Sequence, residues 1–318
     1  HAHHQPPPHI RAFHKKLQKS PLDDADILDF SSPHISEQHR KRLKLSGTIP
    51  GTRAAEVFAR FEDAVDSDTE HDNNSIVEDI PIYTHSSVPG LLLVPSLLPT
   101  RTQSCLLTSL LTHALSDTQT HRTNLHAFYT LPHPFRWFTT PPTTLLPPLT
   151  EIHKPLTVSQ ALGKKLRWMT LGGQYDWTEK RYPDSTPPPF PKDVADLVNG
   201  LFVDVTPQAA IVNLYSPGDQ LAPHRDIAES VGRGLVSVSV GCAGVFVIGC
   251  ADQEEVLAVR LNSGDAVVMR GESRWAWHSV PKILAGTCPE GLEEWDGGSE
   301  HWKAWMKGKR VNLNVRQM

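Results

Sequence analysis

No stretch of this 318-residue chain approaches the roughly 18 uninterrupted apolar residues that a membrane-spanning helix needs. The greasiest run, 88–98, is broken by Pro89, Gly90, Pro95 and Ser96, which excludes such a helix. Cysteine is scarce too. Cys105, Cys242, Cys250 and Cys288 are far apart and form no C-x-x-C pair, so neither a disulfide framework nor a cysteine zinc site fits, and a reducing compartment is the default. Nor is there an overall excess of positive charge, since the net charge is −4. That deficit is local. Glu62, Asp63, Asp66, Asp68, Glu70, Asp72, Glu78 and Asp79 follow one another with no Lys or Arg between them, and without these eight the remainder carries +4. The body is mildly basic, and the acidic run 62–79 reads as a solvated, disordered linker.

What is present is a loop-rich globular composition, 39% apolar with 27 Pro and 20 Gly. His1, His3, His4 and His9 with Pro6 to Pro8 read as a disordered arm or tag remnant rather than a metal site. Residues 10–17 suggest a short basic helix; 24–30 and 40–45 are ambiguous. Leu106, Leu107, Leu110, Leu111 and Ala114 recur at helical spacing, predicting an amphipathic helix over 103–117. The proline-rich stretch 118–160 predicts a long loop region, and no internal repeat is visible.

Beyond residue 166 the texture changes. Strands are predicted at 166–171, 210–215, 235–240, 244–248, 255–261, 266–269 and 310–316, with a helix at 192–202 and a hairpin turn at Asn262-Ser263-Gly264-Asp265. Residues 278–310, ending in a Trp-rich helical stretch at 300–306, read as an insertion before the last strand. The pattern is that of a closed or double-sheet β core.

Two constellations carry chemistry. In Pro223-His224-Arg225-Asp226 the side chains of His224 and Asp226 point the same way if the segment is extended. His278 follows later in sequence. Two histidines and one carboxylate on one face leave coordination positions open, as in non-haem Fe(II) oxygenases. The second constellation is 310–316, which alternates strictly. Arg310, Asn312, Asn314 and Arg316 share one face, while Val311, Leu313 and Val315 share the other. Two guanidinium groups inside a β core are costly unless an anion meets them, and a dicarboxylate would do so.

Together these segments resemble the AlkB family of Fe(II)/2-oxoglutarate dioxygenases. The resemblance rests on Asn213-Leu214-Tyr215-Ser216-Pro217-Gly218, on His224-Arg225-Asp226 with Glu229, on Gly264-Asp265, on Gly271-Glu272-Ser273-Arg274 before His278, and on 310–317. Leu166-Arg167-Trp168-Met169-Thr170-Leu171-Gly172 and Tyr175-Asp176-Trp177 resemble most the AlkB homologue 1 subfamily. The resemblance implies an α+β chain with a double-stranded β-helix (jelly-roll) core at about 166–318, inside a dioxygenase domain 101–318 that follows an N-terminal, partly helical extension 1–100 with flanking loops. It implies Fe(II) on His224, Asp226 and His278. It further implies 2-oxoglutarate on Arg310, Asn213 and Tyr215, with Asn312 and Arg316 supporting that face, and O2 as the oxidant. Trp177, Tyr182 and Arg274 would meet the substrate, whereas Trp168 is expected in the core.

The activity so implied is oxidative demethylation of an N-methylated adenine, DNA N6-methyladenine or tRNA N1-methyladenine, in unpaired or bubbled nucleic acid, releasing formaldehyde, succinate and CO2. A monomer in the nucleus or mitochondrion, without a membrane partner, is expected. The alternative is an oxygenase acting on a peptide. The aromatic and basic residues of 177–182 lean towards nucleic acid.

Overall fold

The computed structural model describes residues 5–19, 21–22, 27–66, 77–175, 182–183, 185–227 and 234–318. Its strands are β1 (Leu28–Asp29), β2 (Leu43–Ile49), β3 (Ile80–His85), β4 (Leu91–Val94), β5 (Leu145–Leu146), β6 (Leu156–Thr157), β7 (Trp168–Gly172), β8 (Ala209–Tyr215), β9 (Leu221–His224), β10 (Leu235–Gly241), β11 (Gly244–Gly249), β12 (Leu257–Leu261), β13 (Ala266–Met269), β14 (Trp277–Ile283) and β15 (Arg310–Arg316). They build a large sheet in the order β2-β3-β4-β13-β10-β15-β8-β7 and a small one in the order β1-β12-β11-β14-β9; β5 and β6 form a separate ribbon. All pairings are antiparallel except β1 with β12. From β8 onward the chain passes back and forth between the two main sheets, staying in the small one only for β11 and β12.

The period-2 patterning explains both faces of the large sheet. Val236, Val238 and Val240 of β10 and Val311, Leu313 and Val315 of β15 point outward and share a core with the helices Gly51–Val65, Thr100–Leu107 and Lys192–Leu201 through Phe58, Leu106 and Leu197. Each such buried aliphatic side chain contributes about 1.5–3 kcal/mol. The opposite face looks onto the small sheet. Leu93, Leu235, Phe246, Val259 and Met269 close one part of that interlayer, and the polar side chains of β15 occupy another.

Several expectations need correction. The turn at Asn262–Asp265 makes no hairpin, because β12 and β13 lie in different sheets. It is a corner, held by Asp265 Oδ2 accepting from the Asn262 amide at 2.7 Å. The region 278–310 does not begin as an insertion. Its first residues belong to β14, and Pro281, which has no N–H to donate, lies where the β11–β14 register shifts. The helix predicted over 103–117 runs from Thr100 to Ser116, widening to a π-helix at Thr108–His113 and tightening to 3-10 at Ala114–Ser116. The stretch 118–160 is loop apart from the turn Asn124–Ala127, the short β5/β6 ribbon and a helical start at Val158. The acidic run is not a uniform solvated linker. Glu62 is buried in the helix Gly51–Val65, accepting from Thr102 Oγ1 at 2.5 Å and pairing with Arg101 at 3.0 Å. Asp79 accepts from the Gly51 amide at 2.9 Å; residues 67–76 lie outside the described residues. His9 belongs to the helix Pro8–Lys19 rather than to a loose arm. No helix among the described residues is long and apolar enough to cross a membrane.

Candidate active site

His224 ends β9, and His278 stands directly opposite it on β14, with ring centroids 4.3 Å apart. Asp226 follows in the loop after β9. Its carboxylate oxygens lie 3.8 Å from His224 Nε2 and 3.9 Å from His278 Nε2, so one ligand atom from each residue falls within 4.8 Å of the others. Main-chain carbonyls set the imidazole tautomers. Nδ1 of His224 donates to the Ala222 carbonyl at 2.9 Å and Nδ1 of His278 to that of Ala276 at 3.2 Å. Both Nε2 lone pairs are thereby left facing Asp226, as metal-binding imidazoles require.

The charge states match. Burial alone would raise the Asp226 carboxyl, but the Arg316 guanidinium and then the two imidazoles more than offset this and hold it well below the usual carboxylate range. Arg316 Nη2 donates to Asp226 Oδ2 at 2.7 Å. Burial, reinforced by His224, pushes His278 down to about 4. A carboxylate at Asp226 and a neutral imidazole at His278 are the protonation states in which these residues bind a divalent cation.

Deeper in the same interlayer, β15 places Arg310 against Tyr215 of β8 and Gly241 of β10. Arg310 is 2% exposed. Among the described residues its Nε and Nη1 have no hydrogen-bond partner, and neither have the buried Tyr215 hydroxyl and the Ser239 hydroxyl on the neighbouring strand. A guanidinium desolvated this far is costly without an anion. The residues present therefore fit a carboxylate at the inner end and a metal at the outer end. Gly244 makes this possible, because a Cβ there would lie 2.9 Å from Arg310 Nε. Asn314 donates to Asn312 at 2.9 Å, and Asn312 donates to Ser237 Oγ at 2.9 Å and to the Val238 carbonyl at 3.0 Å, so these amides stiffen the wall.

A cavity of about 500 Å³ joins the two ends, and Tyr175, Tyr182, Arg225 and Trp277 also line it. Tyr175 and Tyr182 meet edge to face at 5.5 Å, and the Arg225 guanidinium lies 4.9 Å from the Trp277 ring centre. Such a wall can grip a flat, polar ring by stacking. Asn213, Asn312, Arg310, Arg316 and Tyr182 line the cavity, whereas Tyr215, expected with them, is absent from that lining. Trp168 is half-buried on β7, outside the lining. Trp177 lies outside the described residues.

Arg274 is a correction. Expected in the substrate pocket, it is 1% exposed, absent from the cavity lining, and donates Nη1 to the Asp226 carbonyl at 2.6 Å. The short 3-10 turn Gly271–Trp275 turns it towards the main chain behind the metal ligands. Sequence reasoning missed Trp277, Ser239 and Gly244. Ser239 had a signal, since Ser237 and Ser239 interrupt one face of an otherwise valine-rich strand.

A family model described as the 2OG-Fe(II) oxygenase superfamily matches residues 90–316. The chain is 40% identical to the N6-methyladenosine RNA demethylase ALKB1 of Pyricularia oryzae, over 100% of this chain and 97% of that protein. It is 47% identical to the N6-methyladenosine RNA demethylase ALKBH of Cryphonectria parasitica, over 61% of this chain and 99% of that one. To the tRNA demethylase abh1 of Schizosaccharomyces pombe it is 40% identical, over 74% of this chain and 82% of that protein.

Proposed function

Because this chain belongs to the 2OG-Fe(II) oxygenase superfamily, and within it to the AlkB homologue 1 family, we propose that it demethylates an N-methylated adenine in unpaired RNA. The observation that carries the reading is one cavity with a His-Asp-His cluster, a buried unmet guanidinium at its inner end, and a wall of aromatic and cationic side chains. The similar fungal proteins named above act on RNA, which favours RNA over DNA. In this reading β8 to β15 form the double-stranded β-helix that holds the site.

Fe(II), 2-oxoglutarate and O2 supply the oxidising power that hydroxylates the N-methyl carbon, with formaldehyde, succinate and CO2 as products. The protein's part is binding and placement. His224, Asp226 and His278 hold the metal. Arg310 receives the distal carboxylate of the co-substrate as a charge-assisted donor, and Asn213 and Tyr215 hydrogen-bond the co-substrate. Arg316 and Arg274 fix Asp226 at its carboxylate and at its carbonyl. Tyr175, Tyr182 and Trp277 admit one unstacked base and exclude water beside it. An already unpaired base costs least to present, so loops and bubbles are the expected substrates. A monomer is the working unit in this reading.

Nucleoside mass spectrometry tests this reading. The protein, Fe(II), ascorbate and 2-oxoglutarate are incubated with RNA and DNA oligonucleotides carrying N6-methyl- or N1-methyladenine, paired or bubbled. Methyl loss from unpaired RNA that requires 2-oxoglutarate and vanishes in Asp226→Ala is expected. Methyl loss confined to DNA would overturn the RNA assignment. Succinate formation without methyl loss from any oligonucleotide would point to a protein substrate.

A further inference from the structure

The strand that delivers His224 is weakly held. Among the described residues β9 has four residues, ends the small sheet and has β14 as its sheet neighbour. Even that ladder is irregular. His224 faces His278 and Leu221 faces Val280, so three steps along β9 match two along β14. One extra β9 residue thus lies opposite Ser279, and Pro223 at this place has no N–H to donate. On its other side Ser279 adjoins a second register shift, between β14 and β11. Main-chain hydrogen bonds alone therefore leave the spacing of the two metal histidines loosely specified.

The helix Pro8–Lys19 lies against β14 and β9 at this point. Ile10 and Leu17 bury their side chains, as any amphipathic helix would. Between them stands His14, 5% exposed, with both ring nitrogens engaged. Its Nε2–H donates to Gln220 Oε1 at 3.1 Å, and its Nδ1 accepts from the Ser279 hydroxyl at 3.0 Å. Gln220 immediately precedes β9, and Ser279 immediately follows His278. The imidazole is thus a cross-link between the two strands, flanking the defect in their ladder. Burial lowers its pKa, in keeping with the neutral tautomer these two bonds need. A leucine would fill the space without the desolvation cost; what the imidazole adds is two directed bonds to two different strands.

We propose that the helix Pro8–Lys19 is a positioning element of the metal centre, in which His14 fixes the spacing of β9 and β14 behind His224 and His278. This rests on the metal-site reading given above. His14 touches neither metal nor substrate; it acts through Ser279 and Gln220.

The test uses the full chain and Co(II), under argon with 2-oxoglutarate, reading the dissociation constant by calorimetry and the visible Co(II) absorption bands. Outer partners of metal ligands typically change affinity 10- to 100-fold. For His14→Ala about a 10-fold loss of Co(II) affinity and altered bands are expected, with unchanged far-UV circular dichroism. His14→Gln, which can both donate and accept, should recover most of the affinity. If His14→Ala misfolds, Gln220→Ala on the exposed side still tests the link, with about a 3-fold loss expected. Co(II) binding by the parent with the same affinity and spectrum in His14→Ala and Gln220→Ala would overturn this inference alone. Failure of the parent to bind Co(II) would overturn the metal-site reading and this inference with it.

Discussion

Replacing Gly244 by alanine tests the carboxylate pocket without touching any residue that contacts metal or base. The added Cβ would sit 2.9 Å from Arg310 Nε and 3.2 Å from its Cδ and Cζ, where ordinary contacts begin at 3.4 Å. The guanidinium must therefore withdraw by about half an ångström, and β15 limits how far it can go. Truncating a buried, hydrogen-bonded charge pair costs roughly 2–5 kcal/mol. A partial misalignment should then cost about 1–2 kcal/mol, or roughly 5- to 30-fold in 2-oxoglutarate affinity. Arg310→Ala should lose the full amount. The assay is initial succinate release against 2-oxoglutarate concentration at saturating RNA, with anaerobic calorimetry of 2-oxoglutarate binding to the Mn(II) form. KM for 2-oxoglutarate should rise while kcat at saturation stays within about 3-fold, as expected when ground-state and transition-state binding fall together. An unchanged KM in both Gly244→Ala and Arg310→Ala would refute the placement of the co-substrate carboxylate at Arg310.

Arg274→Ala should weaken Mn(II) binding about 10-fold by freeing the Asp226 carbonyl, with RNA affinity unaltered; titration of metal and RNA separately would show the reverse if Arg274 met the substrate. Tyr182→Ala should weaken binding of unpaired RNA by about 1–3 kcal/mol and leave the KM for 2-oxoglutarate unchanged, read by fluorescence anisotropy. Burial, then His39 and Arg42, push His85 down to about 4 from its ordinary 6.5. Its contribution to stability is therefore complete above pH 6.5 and lost as pH falls towards 4, at most about 3 kcal/mol. Urea unfolding at about pH 7 and pH 5 should show a smaller acid loss in His85→Gln than in the parent; equal losses would refute the assignment.

The site was more legible in the sequence than the fold around it. The strict alternation of 310–316 named a polar inner face because a strand has no other way to separate Arg and Asn from Val and Leu, and the structure keeps that separation. His224, Asp226 and His278 could be grouped because their chemistry is distinctive at any spacing. The strands carrying those histidines were not seen. Pro223 and Pro281 interrupt the patterns of β9 and β14, and the register shifts that tolerate them belong to pairing between strands, which local sequence does not show. Glu62 misled for a related reason. Its neighbours in sequence are acids, but its partners, Arg101 and Thr102, come from another helix. Arg274 was placed in the pocket by motif, while its direction depends on a one-turn 3-10 segment that the motif does not specify.

The place of β15 between β10 and β8 has a consequence for how the molecule assembles. The strand that follows all others in sequence lies in the interior of the large sheet, so until it arrives β10 and β8 each present an open edge. All the strands that build the small sheet have by then been made. Where the sheet closes in the order of synthesis, its last step is insertion of a strand into a waiting gap, a non-local and intrinsically slow event. During that interval the unpaired edges can accept a strand from another molecule. Arg310 and Arg316 arrive with the same strand, so the groups that receive the co-substrate and steady Asp226 are installed in the step that closes the sheet.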